Sequence, residues 1–150
     1  MDLPFLQWID GYAVGHEGLD AEHRRLVDII NKIHVAELAG NAKQVGHLLD
    51  IFREATAEHL GHENVTMREV ESRAAQITGG RQAFLEAMSA AVIGEHIVDH
   101  VRSLQQLDSI IRAFHSTPAE GKQIGDALRG WFVEHAVKYD AHLKAVFQAM

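Results

Sequence analysis

Seven residues with metal-binding side chains recur at helical spacing in this chain: His23, His59, Glu63, His96, His100, His135 and Asp140. They sit in the segments Asp20-x-Glu22-His23, His59-x-x-x-Glu63, His96-x-x-x-His100 and His135-x-x-x-x-Asp140. Five imidazoles and two carboxylates make the donor set of a two-metal site and exceed what one ion uses. Imidazole with carboxylate suits iron, manganese or zinc, and the lack of cysteine removes thiolate chemistry. Residues four apart lie about 40° apart around an α-helix, so His59 with Glu63 and His96 with His100 can each face one point. His135 and Asp140 are five apart, about 140° around an α-helix, so Asp140 must reach in from the flank. A carboxylate spanning two metals about 3.5–4 Å apart tolerates that approach.

A lone histidine on an apolar face is more often a satisfied core residue than a ligand. Here five histidines and two acids fall on four apolar stripes. Charge survives burial there only when paired or coordinated. The other histidines, His16, His34, His47, His62, His115 and His142, lie off the stripes or in the arm and loops, and solvent-facing positions are expected for them.

The stripes define the elements. Residues 1–19 lack helical periodicity and carry Pro4, Gly11, Gly15 and Gly18, so they read as an irregular arm pinned to the body by Trp8 and Val14. A first helix, A, is predicted from an N-cap at Asp20 to Gly40-Asn41, with Leu19, His23, Leu26, Ile30 and Ile33 inward. Asn41-Ala-Lys-Gln44 resembles a capping box and opens helix B, whose inward face is Val45, Leu49, Phe52, Thr56, His59, Glu63, Thr66 and Val70. Helix C presents Ile93, His96, His100, Leu104, Leu107, Ile111 and Phe114. Thr117-Pro118-Ala119-Glu120 predicts the start of helix D, which carries Ile124, Leu128, Trp131, His135, Tyr139, Leu143 and Phe147 inward. No alternating strand pattern competes. The expected fold is all-α, an antiparallel up-down-up-down four-helix bundle, as a single domain over residues 1–150 with an irregular N-terminal arm.

The helix B–helix C connection is extended. Between Glu63 and His96 lie 32 residues, whereas bundle loops need about 2–8. The segment around residues 73–92 reads either as a two-helix prong with Gly79-Gly80 at its tip, or as a separate short helix at about 81–90 broken from helix C near Gly94. The prong's helices would carry Val70, Ile77, Phe84, Leu85 and Met88, more apolar surface than two isolated helices can hide. Self-association or a protein partner is therefore expected through residues 67–92.

A formal charge of −7 with histidine neutral argues against nucleic acid or an anionic membrane as partner. No stretch approaches a membrane span and the N-terminus has no basic start, so the expected compartment is the cytoplasm.

Over nearly its whole length the sequence resembles the bacterial hemerythrins. The resemblance is carried by Trp8, Val14-Gly15, Leu19-Asp20-x-Glu22-His23-x-x-Leu26 and Asn31. His59-x-x-x-Glu63, His96-x-x-x-His100 and Trp131-x-x-x-His135-x-x-x-x-Asp140 continue it. It implies two iron ions, oxo- or hydroxo-bridged. One would be held by His96, His100 and His135, the other by His23 and His59, with Glu63 and Asp140 bridging. The second iron would keep an open position for dioxygen, bound reversibly without chemistry on a substrate. The implied role is a non-enzymatic oxygen carrier, store or sensor. Leu26, Leu60, Trp131, Phe132 and Ala136 would flank the bound molecule, with Ala136 standing where the family commonly has a bulky aliphatic residue. Two departures stand out: Asn64 follows Glu63 where the family usually has a second acid, and no Tyr-Pro turn precedes helix C.

The competing function is a di-iron protein for nitric oxide or peroxide handling, or for iron–sulfur repair. Related bundles of that kind place the last acid at i+4 and carry a cysteine-bearing segment, and this chain has i+5 and no cysteine. A ferritin-like oxidase would need Glu-x-x-His on two helices, a motif this sequence lacks. A structural zinc or manganese bundle uses the same ligand types.

Overall fold

The computed structural model describes residues 4–74, 94–116, 123–140, 143–144 and 147. Four helices run through them: α1 (Glu17–Leu38), α2 (Ala42–Ala74), α3 (Gly94–Ser116) and α4 (Ile124–Glu134). A π-helical turn, His135–Asp140, continues α4. There is no strand among the described residues. α1 packs on α2 and α4, and α2 packs on α3, giving the antiparallel four-helix bundle.

The helix ends differ from the sequence expectation in two places. α1 starts earlier than Asp20. His16 is its N-cap, and the ring Nδ1 accepts from the Leu19 amide at 3.2 Å. Asp20 instead turns its carboxylate back onto the arm, accepting from the amides of Val14 (2.7 Å) and Gly15 (3.2 Å). α4 starts later than Pro118, at Ile124, and Gln123 makes no side-chain cap. Glu37 of α1 does that work, accepting from the amides of Ile124 (3.2 Å) and Gly125 (2.6 Å). A carboxylate there satisfies orphan donors and meets the positive end of the helix dipole. The Thr117–Glu120 start signal and residues 75–93, which include most of the expected prong, lie outside the described residues.

The α1–α2 turn follows the sequence closely. Gly40 takes a φ of +68°. Its amide bonds the Glu37 carbonyl, and the Asn41 amide bonds that of Ala36. This pair of bonds is the Schellman stop, and it favours glycine at the left-handed position. Asn41 Oδ1 then accepts from the Gln44 amide at 3.1 Å and opens α2.

Two apolar clusters bracket a polar layer. The larger holds Leu26, Ile30, Ile33, Leu49, Phe52, Leu128, Phe132 and Ala136 among others. The smaller holds Val14, Leu19, Met67 and Leu143. Met67 is thus fully buried in the body of the bundle, which removes it from the expected partner surface. The α2 seam steps by four from Glu63 to Met67. Thr66 leaves the seam, and its hydroxyl bonds the His62 carbonyl at 2.9 Å. On α3, Ser103 is buried while Leu104 and Ile111 are only half-buried. The arm is pinned as expected: Val14 is buried and Trp8 packs on the core with Arg24 over its ring. Asn31 grips the Leu6 backbone through both its amide and its carbonyl.

Candidate metal centre

His23, His59, Glu63, His96, His100, His135 and Asp140 all converge in the polar layer, each at most 2% exposed. Two groupings of ligand atoms arise: His23, His59, Glu63, His135 and Asp140 in one, Glu63, His96, His100 and His135 in the other. The carboxylates span them. Glu63 Oε1 lies 2.6 Å from His59 Nε2 and 3.4 Å from His23 Nε2. Its Oε2 faces His100 (2.9 Å), His96 (3.2 Å) and His135 (3.3 Å). Asp140 repeats the division, with Oδ2 at 2.7 Å from His23 and Oδ1 at 2.8 Å from His96 and 3.2 Å from His135. Glu63 therefore directs one oxygen toward a pair of histidines and the other toward a trio, whereas Asp140 directs one oxygen toward His23 alone and the other toward His96 and His135.

The expected flank approach of Asp140 is corrected by the backbone. His135–Asp140 is a π-turn, in which i→i+5 hydrogen bonding brings residue i+5 back over residue i. Asp140 thereby faces the same interior as His135. The wider turn leaves residue i+5 much closer to the face of residue i than an α-helix does.

The donor atoms point at shared space more than at one another. Among the described residues, Nε2 of His23, His59, His96 and His135, Glu63 Oε1 and both Asp140 oxygens have no well-formed hydrogen bond despite full burial. Buried polar atoms are normally satisfied, so such a set fits coordinated cations. Five neutral imidazoles and two carboxylates carry two negative charges, which divalent ions with an oxygen bridge would offset.

The opposite ring nitrogens are anchored. His23 Nδ1 donates to the Tyr12 carbonyl (2.7 Å) and His59 Nδ1 to Glu22 Oε1 (2.9 Å). His100 Nδ1 donates to Asn64 Oδ1 (2.7 Å) and His135 Nδ1 to Asp99 Oδ2 (3.0 Å). A handover runs round the bundle: the arm holds the α1 histidine, α1 that of α2, α2 one of α3, and α3 that of α4. This fixes the tautomer with Nε2 free for a metal. His96 Nδ1 alone of the five has no such partner among the described residues.

Without metal the cluster is strongly perturbed. Burial disfavours the His23 imidazolium, but the carboxylates of Asp140 and Glu63 beside it outweigh that and leave the group pushed up to about 10. Burial likewise opposes protonation of His135, yet Asp140 and Glu63 hold it well above the usual value. Burial would raise Glu63, but the charges of His59 and His135 hold it well below the usual range. His100 moves the other way, because burial together with the charges of His96 and His135 exceeds the pull of Glu63.

Residues 14–147 match the Hemerythrin HHE cation binding domain. The chain belongs to the hemerythrin HHE cation-binding family. A Bacteriohemerythrin from Stenotrophomonas maltophilia is 30% identical over 67 residues, which is 45% of this chain and 44% of that relative. The match thus spans less than half the length of the relative. The buried histidine–carboxylate layer is the candidate metal centre of this hemerythrin domain.

Leu26, Leu60, Phe132 and Ala136 are buried and Trp131 is half-buried. Phe132 meets the edge of His23 at 5.6 Å, and Trp131 stacks on His135 at 5.3 Å. Of the other histidines, His16, His47, His62 and His115 are exposed, and His142 lies outside the described residues. His34 departs from expectation: it is half-buried and stacked on Phe5 at 3.8 Å.

Sequence reasoning found no role for Glu22, Asp99 or Ser103. Glu22 and Asp99 each adjoin a candidate ligand in sequence, yet serve a histidine on the next helix. A one-residue offset turns a side chain by about 100°, away from the seam and toward the neighbouring helix. An acid directly before a seam histidine was the available signal. Ser103 accepts from Trp131 Nε1 at 2.7 Å and holds that ring against His135.

Proposed function

We propose that this hemerythrin domain binds dioxygen reversibly at a non-haem di-iron centre, as an oxygen carrier, store or sensor. The observation that carries this reading is the division of Glu63, with two histidines at one oxygen and three at the other, which Asp140 follows with one and two. That asymmetry favours one saturated metal and one with a free position on the His23/His59 side. His96, His100 and His135 would hold the first iron, His23 and His59 the second, with Glu63 and Asp140 bridging. The bound pair would supply two electrons to dioxygen and recover them on its release.

The remaining work falls to the chain. Tyr12, Glu22, Asn64 and Asp99 aim the imidazoles. Leu26, Leu60, Phe132 and Ala136 keep the free position dry, which disfavours protonation and loss of reduced oxygen.

Metal analysis and visible spectra test the proposal together. The expected result is two irons per chain, with a visible band that appears when oxygen meets the reduced protein and disappears under vacuum. One metal per chain, zinc with no spectral change, or oxygen consumption that vacuum does not reverse would overturn it.

A further inference from the structure

Outside the metal cluster, two described residues bear a buried side-chain polar atom without a hydrogen-bond partner: Trp8 at Nε1 and Thr56 at Oγ1. Trp8 is half-buried at the rim, whereas Thr56 is 0% exposed. A helical hydroxyl ordinarily bonds the carbonyl four residues back. Thr66 does so to His62 at 2.9 Å, and Ser109 to Gln105 at 3.0 Å. Thr56 has the Phe52 carbonyl in the same relation and makes no such bond. Leaving a fully buried hydroxyl unpaired is costly, and valine would fill the same volume without that cost.

Its position gives the hydroxyl a use. Thr56 lies on the buried arc of α2 between Phe52 and His59, with Leu60 one turn beyond. Phe52 meets the edge of Trp131 at 6.0 Å, and Trp131 stacks on His135. On the opposite wall Phe132 meets His23. Thr56 itself precedes His59 by about one turn on the same buried arc, which places its side chain in the interior next to the two-histidine side of the centre. Leu26, one turn after His23 on the antiparallel α1, belongs to the same layer.

We propose that Thr56 Oγ1 donates a hydrogen bond to the small molecule held in this layer beside His23 and His59, and is the polar specificity determinant of the pocket. The inference rests on the dioxygen-binding reading. The ligands it favours are small linear molecules or anions with an accessible lone pair. In a pocket otherwise walled by hydrocarbon and aromatic rings, one donor discriminates strongly between good and poor acceptors.

Azide is the probe, added to the oxidised, iron-loaded protein and to Thr56→Val and Thr56→Ser variants matched for iron content. The azide dissociation constant is expected to rise about tenfold in Thr56→Val and to return to within about threefold in Thr56→Ser, the range for loss of one hydrogen bond. The infrared azide stretch should shift on exchange into heavy water in the natural protein and in Thr56→Ser, but not in Thr56→Val. Melting of the metal-free proteins supplies the structural control: Thr56→Val should be at least as stable as the natural chain, since it removes an unpaired hydroxyl. An unchanged azide constant in Thr56→Val, or a less stable metal-free Thr56→Val, overturns the Thr56 assignment alone. Absence of any azide complex in the natural protein overturns it together with the dioxygen-binding reading.

Discussion

At the residue scale, the side chains behind the ligands carry as much of the design as the ligands do. Asp99 shows this most directly, because its carboxylate fixes the His135 ring from the next helix at 3.0 Å. Asp99→Ala is expected to weaken metal affinity about 10–100-fold in a chelator competition, the usual effect of losing such an anchor. Asp108→Ala on the same helix removes only a half-exposed pair with Arg53 and should leave affinity unchanged. Asn64 holds His100 with a neutral oxygen where Glu22 and Asp99 hold their histidines with carboxylates. The departure from the family pattern at position 64 therefore keeps the anchor and drops its charge. Ala136, 1% exposed beside Leu26 and Phe132, is the small member of the pocket wall. Ala136→Ile should slow azide entry in rapid mixing and cost about 1–3 kcal/mol in denaturant unfolding, because the core there is already closed.

At the element scale, α4 depends on its neighbours at both ends. Its first amides are satisfied by Glu37 from α1. A Cβ on Gly125 would lie 2.8 Å from Glu37 Oε1, so Gly125→Ala must displace the carboxylate. The expected cost is about 1–2 kcal/mol, comparable to loss of a helix cap, read as a lower melting temperature of the metal-free protein. At the other end, the π-turn packs against the arm's short 3-10 turn, Asp10–Tyr12, whose last residue holds His23. The arm is thereby part of the metal layer as well as a cover for the core. Asp140→Ala should abolish stable two-metal loading, since that turn exists to bring this carboxylate over His135. Metal analysis after gel filtration checks it.

For the whole molecule, the buried layer makes metal content and pH inseparable from stability. In the metal-free protein His23, His59, His96 and His135 are held above their ordinary value of 6.5. Their contribution is complete below about pH 6.5 and is lost as pH rises through the folded values, about 10 for His23. Glu63 and Asp140 are held below their ordinary values of 4.5 and 3.8, so their contribution is complete above those values and is lost as pH falls. His100, held below 6.5, opposes the other histidines in sign, and as one group against four it does not reverse the trend. The metal-free protein should therefore melt highest between about pH 4.5 and 6.5 and progressively lower toward pH 9. Metal must displace the imidazole protons, so loading reverses this slope. Calorimetry should find the stabilisation by metal growing from pH 5.5 to 8.

Much of this was legible in the chain before any coordinates. Helical periodicity is a local property, so the four stripes, the Gly40-Asn41 stop and the inward turn of six of the seven candidate ligands, all but Asp140, could be read from spacing. The i+4 pairs needed nothing further, because the α-helical repeat alone brings them to one face. The i+5 pair did need more: an α-helix misdirects Asp140, and the π-turn that corrects it packs against the arm, a segment far away in sequence. The placement of Glu37 at the start of α4, of Ser103 under Trp131, and of Glu22, Asn64 and Asp99 behind histidines of other helices was equally out of reach. Each contact joins residues far apart in sequence, and its existence depends on which helix lies beside which and at what height. The spacing of side chains along one helix is set by backbone geometry, whereas partners across helices are set by packing, and only the folded bundle decides those.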